Sequence, residues 1–262
     1  MIVVLWVWLV LFLCLASDSQ SIDSLIVDTN LGRVHGASMG SVNEYLGIPY
    51  AEPPVGTLRF RPPVTKRPWH PAILQTTHFK PECLQSSLFA TEDGTLRDED
   101  CLYLNIWQPK VNVSKGGSLP VLVWIYGGAF IHGGTAKKEY NGRFLAEKGS
   151  VVVSFNYRLG ALGFLVSIAD GLFGNYGLAD QQMALQWVHS NIRLFGGDPS
   201  RITIFGESAG AMSAGLHAIG LMLEVQKRNN NSSDSKKTDM RPFQALIMQS
   251  NPLGYKYYKT LL

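Results

Sequence analysis

Charge is scarce in this chain, and so are cysteine and histidine. Charged residues make up 16% of its 262 residues, against 46% apolar ones. That balance excludes a disordered polyelectrolyte and supplies a sizeable core. The length suits one large domain or two small ones. The formal net charge of +3 is spread along the chain, with its densest basic cluster around 227–237. A solvated loop accounts for that cluster, so no nucleic-acid partner is expected. No internal repeat is visible. The three cysteines are Cys14, Cys83 and Cys101. The last two lack the further ligands that a zinc site needs at this spacing, so no metal centre is expected.

The N-terminus lacks Lys and Arg but not apolar residues. It reads "MIVVLWVWLVLFLCLASDSQS", apolar from Ile2 to Leu15 and then abruptly polar. A comfortable membrane span needs about 20 apolar residues. The run matches a secretory signal peptide over 1–21, with small residues near a cut between Ala16 and Ser21. An uncleaved anchor is the alternative, and only then would the chain contact a membrane. Cleavage removes Cys14 and leaves an even count. In an oxidising compartment that suggests one disulfide closing a short loop. Three N-glycosylation sequons fit a secreted or secretory-lumen location: Asn112 in "NVS", Asn230 in "NNS" and Asn231 in "NSS".

Strand and helix signals then alternate. Positions 22–33 read as short strands with a turn at "DTNLG". The prolines of "YLGIPYAEPPVGTLRFRPP", 45–63, predict an ordered surface loop. "DCLYLNIWQP", 100–109, reads as a strand. The continuous apolar runs "LPVLVWIY" at 119–126 and "VVVSFN" at 151–156 read as strands buried on both faces, as in a parallel sheet. A short helix fits "YNGRFLAEKG" between them. A longer helix fits 178–195, stopped by "GGDP". "RITIF", 201–205, is another strand, a small-residue helix follows, and 245–249 offers one more strand. The polar stretch at about 226–240 predicts an exposed loop. The pattern is α/β with a mostly parallel sheet and flanking helices, in one domain over 22–262.

Two glycine-bearing segments carry the chemistry. Gly206-Glu207-Ser208-Ala209-Gly210 is a G-x-S-x-G between a predicted strand and a predicted helix. The turn is so sharp that Ser208 is held in a strained backbone, and a Cβ at either flanking glycine would crowd its neighbours. The serine oxygen is then exposed at the carboxyl end of the sheet. The amide of Ala209, at the helix N-terminus, can donate to a developing oxyanion. The second segment is "WIYGGAFIHGG", 124–134. Its glycines let backbone amides approach a ligand, and Gly128 and Ala129 are the best further donors to an oxyanion hole.

These segments resemble the type-B carboxylesterase/cholinesterase family of α/β-hydrolases. "YLGIPYAEPPVGTLRFRPP", "EDCLYLNIW", "VLVWIYGGAF", "FNYRLGALGFL", "GNYGLADQQMALQWVHSNIRLFGGDPSRITIFGESAGAMSAG" and "ALIMQS" occur in the family's order and span about 22–250. The resemblance implies an α/β-hydrolase fold and a serine ester hydrolase that needs no cofactor. It implies that Ser208 is the acylated nucleophile and that Gly128, Ala129 and Ala209 form the oxyanion hole. It also implies a Cys83–Cys101 disulfide and a bracing ion pair between Arg59 and Glu99. Glu207 is expected at the floor of the site in a hydrogen-bonding role.

A hydrolase of this fold orders its triad as Ser, then an acid, then His. After Ser208 the sequence shows only His217, with no acid between them. Nine residues along a helix is a rise of roughly 13 Å, out of reach of the serine. Of the earlier histidines, 35, 70, 78, 132 and 189, only His132 lies near the oxyanion segment. Relatives are considerably longer and carry acid and histidine in their C-terminal half. The expectation is therefore a truncated carboxylesterase, with an inactive short form or a non-catalytic binding or adhesion module as alternatives. The segment between Cys83 and Cys101 has no tryptophan, the cation-holding aromatic of cholinesterases. That favours a small general carboxylic ester over a choline ester, with a lipase also in view. Nothing in the sequence sets the oligomeric state.

Overall fold

The computed structural model describes residues 24–86, 95–111, 117–230 and 241–250, without the side chains of 227–230. The expected signal peptide, Asn112 and Asn231 lie outside these residues, as does the side chain of Asn230.

A seven-stranded sheet organises the described residues. In chain order its strands are β1 (Ala37–Met39), β2 (Val42–Pro49), β3 (Tyr103–Pro109), β4 (Leu119–Ile125), β5 (Val151–Phe155), β6 (Gly197–Glu207) and β7 (Ala245–Gln249). The spatial order is β7-β6-β4-β5-β3-β2-β1. The pairs β7/β6, β6/β4 and β4/β5 are parallel. The pairs β5/β3, β3/β2 and β2/β1 are antiparallel. The fold class is α/β as expected, but the sheet is mixed, and "mostly parallel" holds only from β4 onward. The reason is the connections. Parallel neighbours need crossovers, and from β4 on the sequence alternates strand and helix. Before β4 a tight turn at Gly40, with φ 62°, reverses β1 into β2.

The helices are α1 (Arg143–Ala146), α2 (Gly160–Phe164), α3 (Tyr176–Asn191) and α4 (Ala209–Asn230). β5 shows how the layers form, because all five of its residues are buried. Val151, Val153 and Phe155 join the large cluster that includes Leu185 and Val188 of α3 and Ala214 of α4. Val152 joins Trp107 and Ala146 of α1 in a second cluster. Successive strand residues point to opposite faces, so helices cover both sides of the sheet. Each fully buried Val, Leu or Phe contributes about 1.5–3 kcal/mol from apolar area alone.

Several boundaries differ from the sequence expectation. The helix expected at 178–195 is Tyr176–Asn191 followed by a 3-10 turn, and the strand expected at 201–205 spans Gly197–Glu207 and so takes up most of the expected stop. The segment 45–63 is not a loop throughout, since its first five residues complete β2. Its first proline, Pro49, falls on the last position of the strand, where a missing N–H interrupts no ladder. The polar stretch expected as loop from about 226 is helical through Asn230. Lys and Arg tolerate a solvent-facing helix, so polarity alone did not mark its end.

Two cross-links fasten the N-terminal loops. Cys83 and Cys101 form a disulfide with Cα atoms 4.9 Å apart. Arg59 donates to Glu99 through Nε at 2.6 Å and Nη2 at 2.7 Å, the expected brace. The turn expected near "DTNLG" is also present, with Thr29 N–H donating to Gly32 O at 3.1 Å.

Candidate active site

The parallel strands end where the chain departs in opposite directions. From β4 it passes to β5 on one side, and from β6 to β7 on the other. A crevice beyond the carboxyl ends of such strands is the usual ligand position in open α/β sheets. Here the register sets Gly206 opposite Ile125. Ser208 and Gly127 each follow that pair by two residues, so the two chemistry-bearing segments leave the sheet side by side.

Close backbone approach forces the serine turn. A Cβ on Gly210 would stand 2.0 Å from Ile125 O, and one on Gly206 would stand 2.5 Å from the Gly210 carbonyl carbon. Neither obstacle is a side chain that can swing away. Between them Ser208 adopts φ 54°, a left-handed conformation uncommon for a non-glycine residue. Its N–H donates to Gln249 O at 2.9 Å, and its carbonyl accepts from Met212 N–H at 2.9 Å. Ser208 therefore closes the β6/β7 ladder and opens α4 in a single residue.

The segment after β4 is strained as well. Gly128, Ala129 and Phe130 have φ of 113°, 53° and 62°. Gly128 O accepts from both Ile131 N–H at 3.0 Å and His132 N–H at 3.1 Å, which closes a compact turn. Gly127 brings this turn against the serine, since a Cβ there would stand 3.2 Å from Ser208 Cβ. Among the described residues no backbone carbonyl takes up the N–H of Gly128, Ala129 or Ala209. Ala209 is buried nonetheless. Gly128 is half-buried and Ala129 exposed, so of the three only the Ala209 amide is both buried and without a backbone partner, an uncommon state for a buried donor.

The titratable neighbours divide into two groups. His132 Nδ1 lies 3.0 Å from the position that a Cβ on Gly128 would take. Partial burial, with Lys137 adding to it, holds its imidazole below the ordinary range. The Glu207 carboxylate borders Gly127. Burial, then Glu207, pushes the Tyr140 phenol up. His217 belongs elsewhere. Its Nε2 is 2.8 Å from Gln181 Oε1, Gln181 Nε2 donates to Ser213 Oγ at 3.0 Å, and Ser213 Oγ donates to Ala209 O at 2.9 Å. Burial lowers this imidazole to about 4. The chain of bonds ties α3 to α4 and engages His217 with Gln181. Among the described residues no group of three or more His, Cys, Asp or Glu is placed to hold a metal ion.

Sequence reasoning missed Gly127 and Tyr140. Gly127 was legible as the first glycine after a buried strand. Tyr140 carried no local signal, because only folding brings it to Glu207.

The fold and the sequence both have relatives among known proteins. The family model described as "Carboxylesterase family" matches residues 23–228. Fumonisin B1 esterase of Sphingopyxis macrogoltabida is 50% identical over 201 residues, covering 73% of this chain and 36% of that protein. Cholinesterase of Mus musculus is 45% identical over 227 residues, covering 81% of this chain and 37% of that protein. Among solved structures, a thermophilic PNB esterase superposes with a TM-score of 0.68 at 42% identity, covering 74% of this chain and 40% of the other. The chain belongs to the carboxylesterase family and has the α/β-hydrolase fold. It spans less than two-fifths of the length of these curated relatives.

Proposed function

We propose that the protein is a secreted serine carboxylesterase whose nucleophile is Ser208. The serine oxygen attacks the ester carbonyl carbon. The resulting oxyanion accepts from the N–H groups of Gly128, Ala129 and Ala209. Expulsion of the alcohol leaves the acyl group on Ser208, and water then releases it as the acid. Glu207 supports the site by hydrogen bonding, and His132 lines it. The proton of Ser208 needs a base, which family order places after an acid that follows the nucleophile. His217 is bonded to Gln181, so none of the described histidines is assigned that role.

The observation that carries this reading is a left-handed Ser208 with the unclaimed amide of Ala209 beside it and those of Gly128 and Ala129 on the facing turn. An inert glycine turn has no use for either. The substrate is a small general carboxylic ester, because the segment between Cys83 and Cys101 lacks tryptophan. The disulfide fits an oxidising, extracellular compartment.

Fluorophosphonate labelling tests the reading. Labelling that disappears in Ser208→Ala is the expected result. If well-folded protein gives no serine-dependent adduct, the esterase reading fails and a non-catalytic binding module takes its place.

A further inference from the structure

Three successive left-handed residues do not hold themselves in place, because such strain persists only where the surroundings over-determine it. The 128–132 turn is closed internally by two bonds to Gly128 O. Its outer end, Gly133, has φ 124° and is gripped by one side chain from a distant part of the chain. Gln85 Nε2 donates to Gly133 O at 2.9 Å, and Gly133 N–H donates to Gln85 Oε1 at 2.8 Å. The same Nε2 donates to Cys83 O at 3.1 Å. A carboxamide thus takes the place of a paired strand residue, offering both a donor and an acceptor to one peptide unit.

The base of Gln85 is itself anchored. Glu82–Cys83 pairs in parallel with Arg97–Asp98, and Cys83 is bonded to Cys101. A rigid platform therefore holds Gly133 by two bonds, and Gly133 directly follows the residue whose N–H closes the turn. A shift of Gly133 reaches Gly128 and Ala129 through that one turn. Glutamate could accept but not donate, and asparagine is one methylene short, so the residue type is specific to the task.

We propose that Gln85 is a positioning residue for the oxyanion hole, setting the direction of the Gly128 and Ala129 amides through Gly133. The inference rests on the esterase reading above. Its test compares the full chain with Gln85→Leu, which loses all three bonds at similar volume, and Gln85→Glu, which keeps only the acceptor for Gly133 N–H. Two quantities are measured: the rate of Ser208-dependent fluorophosphonate labelling, and hydrogen exchange of the 127–134 amides. Losing a whole oxyanion donor costs about 100-fold or more. Misaiming the loop should slow labelling by about 10-fold or more in Gln85→Leu, less in Gln85→Glu, with faster loop exchange and unchanged exchange in α4. A folded Gln85→Leu that labels at the wild-type rate, or whose loop exchange is unchanged, overturns the proposal. If Gln85→Leu does not fold, Gln85→Glu decides on the same criteria. If the wild type shows no Ser208-dependent labelling, the esterase reading fails separately and exchange decides alone: faster loop exchange sustains the grip on Gly133, and unchanged exchange overturns it.

Discussion

The two sides of the crevice hold their strain by different means. At the serine turn, left-handed geometry follows from neighbours at most a few residues away and from the facing strand. Gly206, Gly210 and Ile125 O leave the backbone one path. The facing turn, 127–134, has more left-handed residues and is also closed by its own backbone, since a Cβ on Gly128 would stand 2.0 Å from His132 O. It is held by Gln85 on one side and by α2 on the other, where Gly160 N–H donates to Phe130 O at 2.7 Å and the Phe130 and Phe164 rings meet at 5.1 Å. Backbone groups alone fix the first side, and the second adds side-chain partners. Remote side-chain mutations should therefore disturb the second side more.

The largest expected effect breaks the tertiary support of the facing turn. Arg158 is 3% exposed and Asp180 0%, joined by Nε and Nη2 at 2.7 Å each, just before α2. Arg158→Met leaves a buried carboxylate without its cation. The cost should be about 4 kcal/mol in chemical denaturation, with faster amide exchange around Phe130 than in the serine turn. A loss below about 1 kcal/mol would show that α2 is held by other contacts.

A matched glycine pair sharpens the contrast. Gly210→Ala drives a Cβ into backbone at Ile125 and should cost about 3 kcal/mol. Gly134→Ala meets the Glu82 side chain instead, which is buried and lies 3.8 Å from Arg97, so about 2 kcal/mol is expected as that side chain is displaced. Equal losses would remove the distinction between the two sides.

A comparable effect is a pH dependence at α4. The His217 imidazole is lowered by burial from 6.5 to about 4. Between those values the unfolded chain binds a proton that the folded chain does not. Stability should therefore fall as pH drops from 6.5 to 4, by on the order of 2 kcal/mol. His217→Gln should abolish that component, read as the difference between the two proteins' denaturation midpoints across this range. An unchanged profile would assign the loss to other groups.

Legibility followed the same division. The parallel strands β4, β5 and β6 and helix α3 were readable because each announces itself locally, as an apolar run or a helical stretch before glycines. The turns at Ser208 and at 128–130 were readable because their glycines encode them. The antiparallel half was harder. β2 runs into a proline-rich stretch, and its pairing with β3 joins residues about sixty apart. His132 was placed near the facing turn by sequence proximity, and its ring does lie against Gly128. The exclusion of His217 rested on helical rise, and its bond to Gln181 supplies the physical reason.

By itself the sequence determined the α/β class, the serine-bearing turn and the membership of Cys83 and Cys101 in one short loop. These depend on local backbone chemistry and on spacing. Only the tertiary structure decided that the sheet is mixed, that Gly127 lies against Ser208, and that Gln85 grips Gly133 from 48 residues away. Such contacts are set by which surfaces meet when the core closes, and no window along the chain contains both partners.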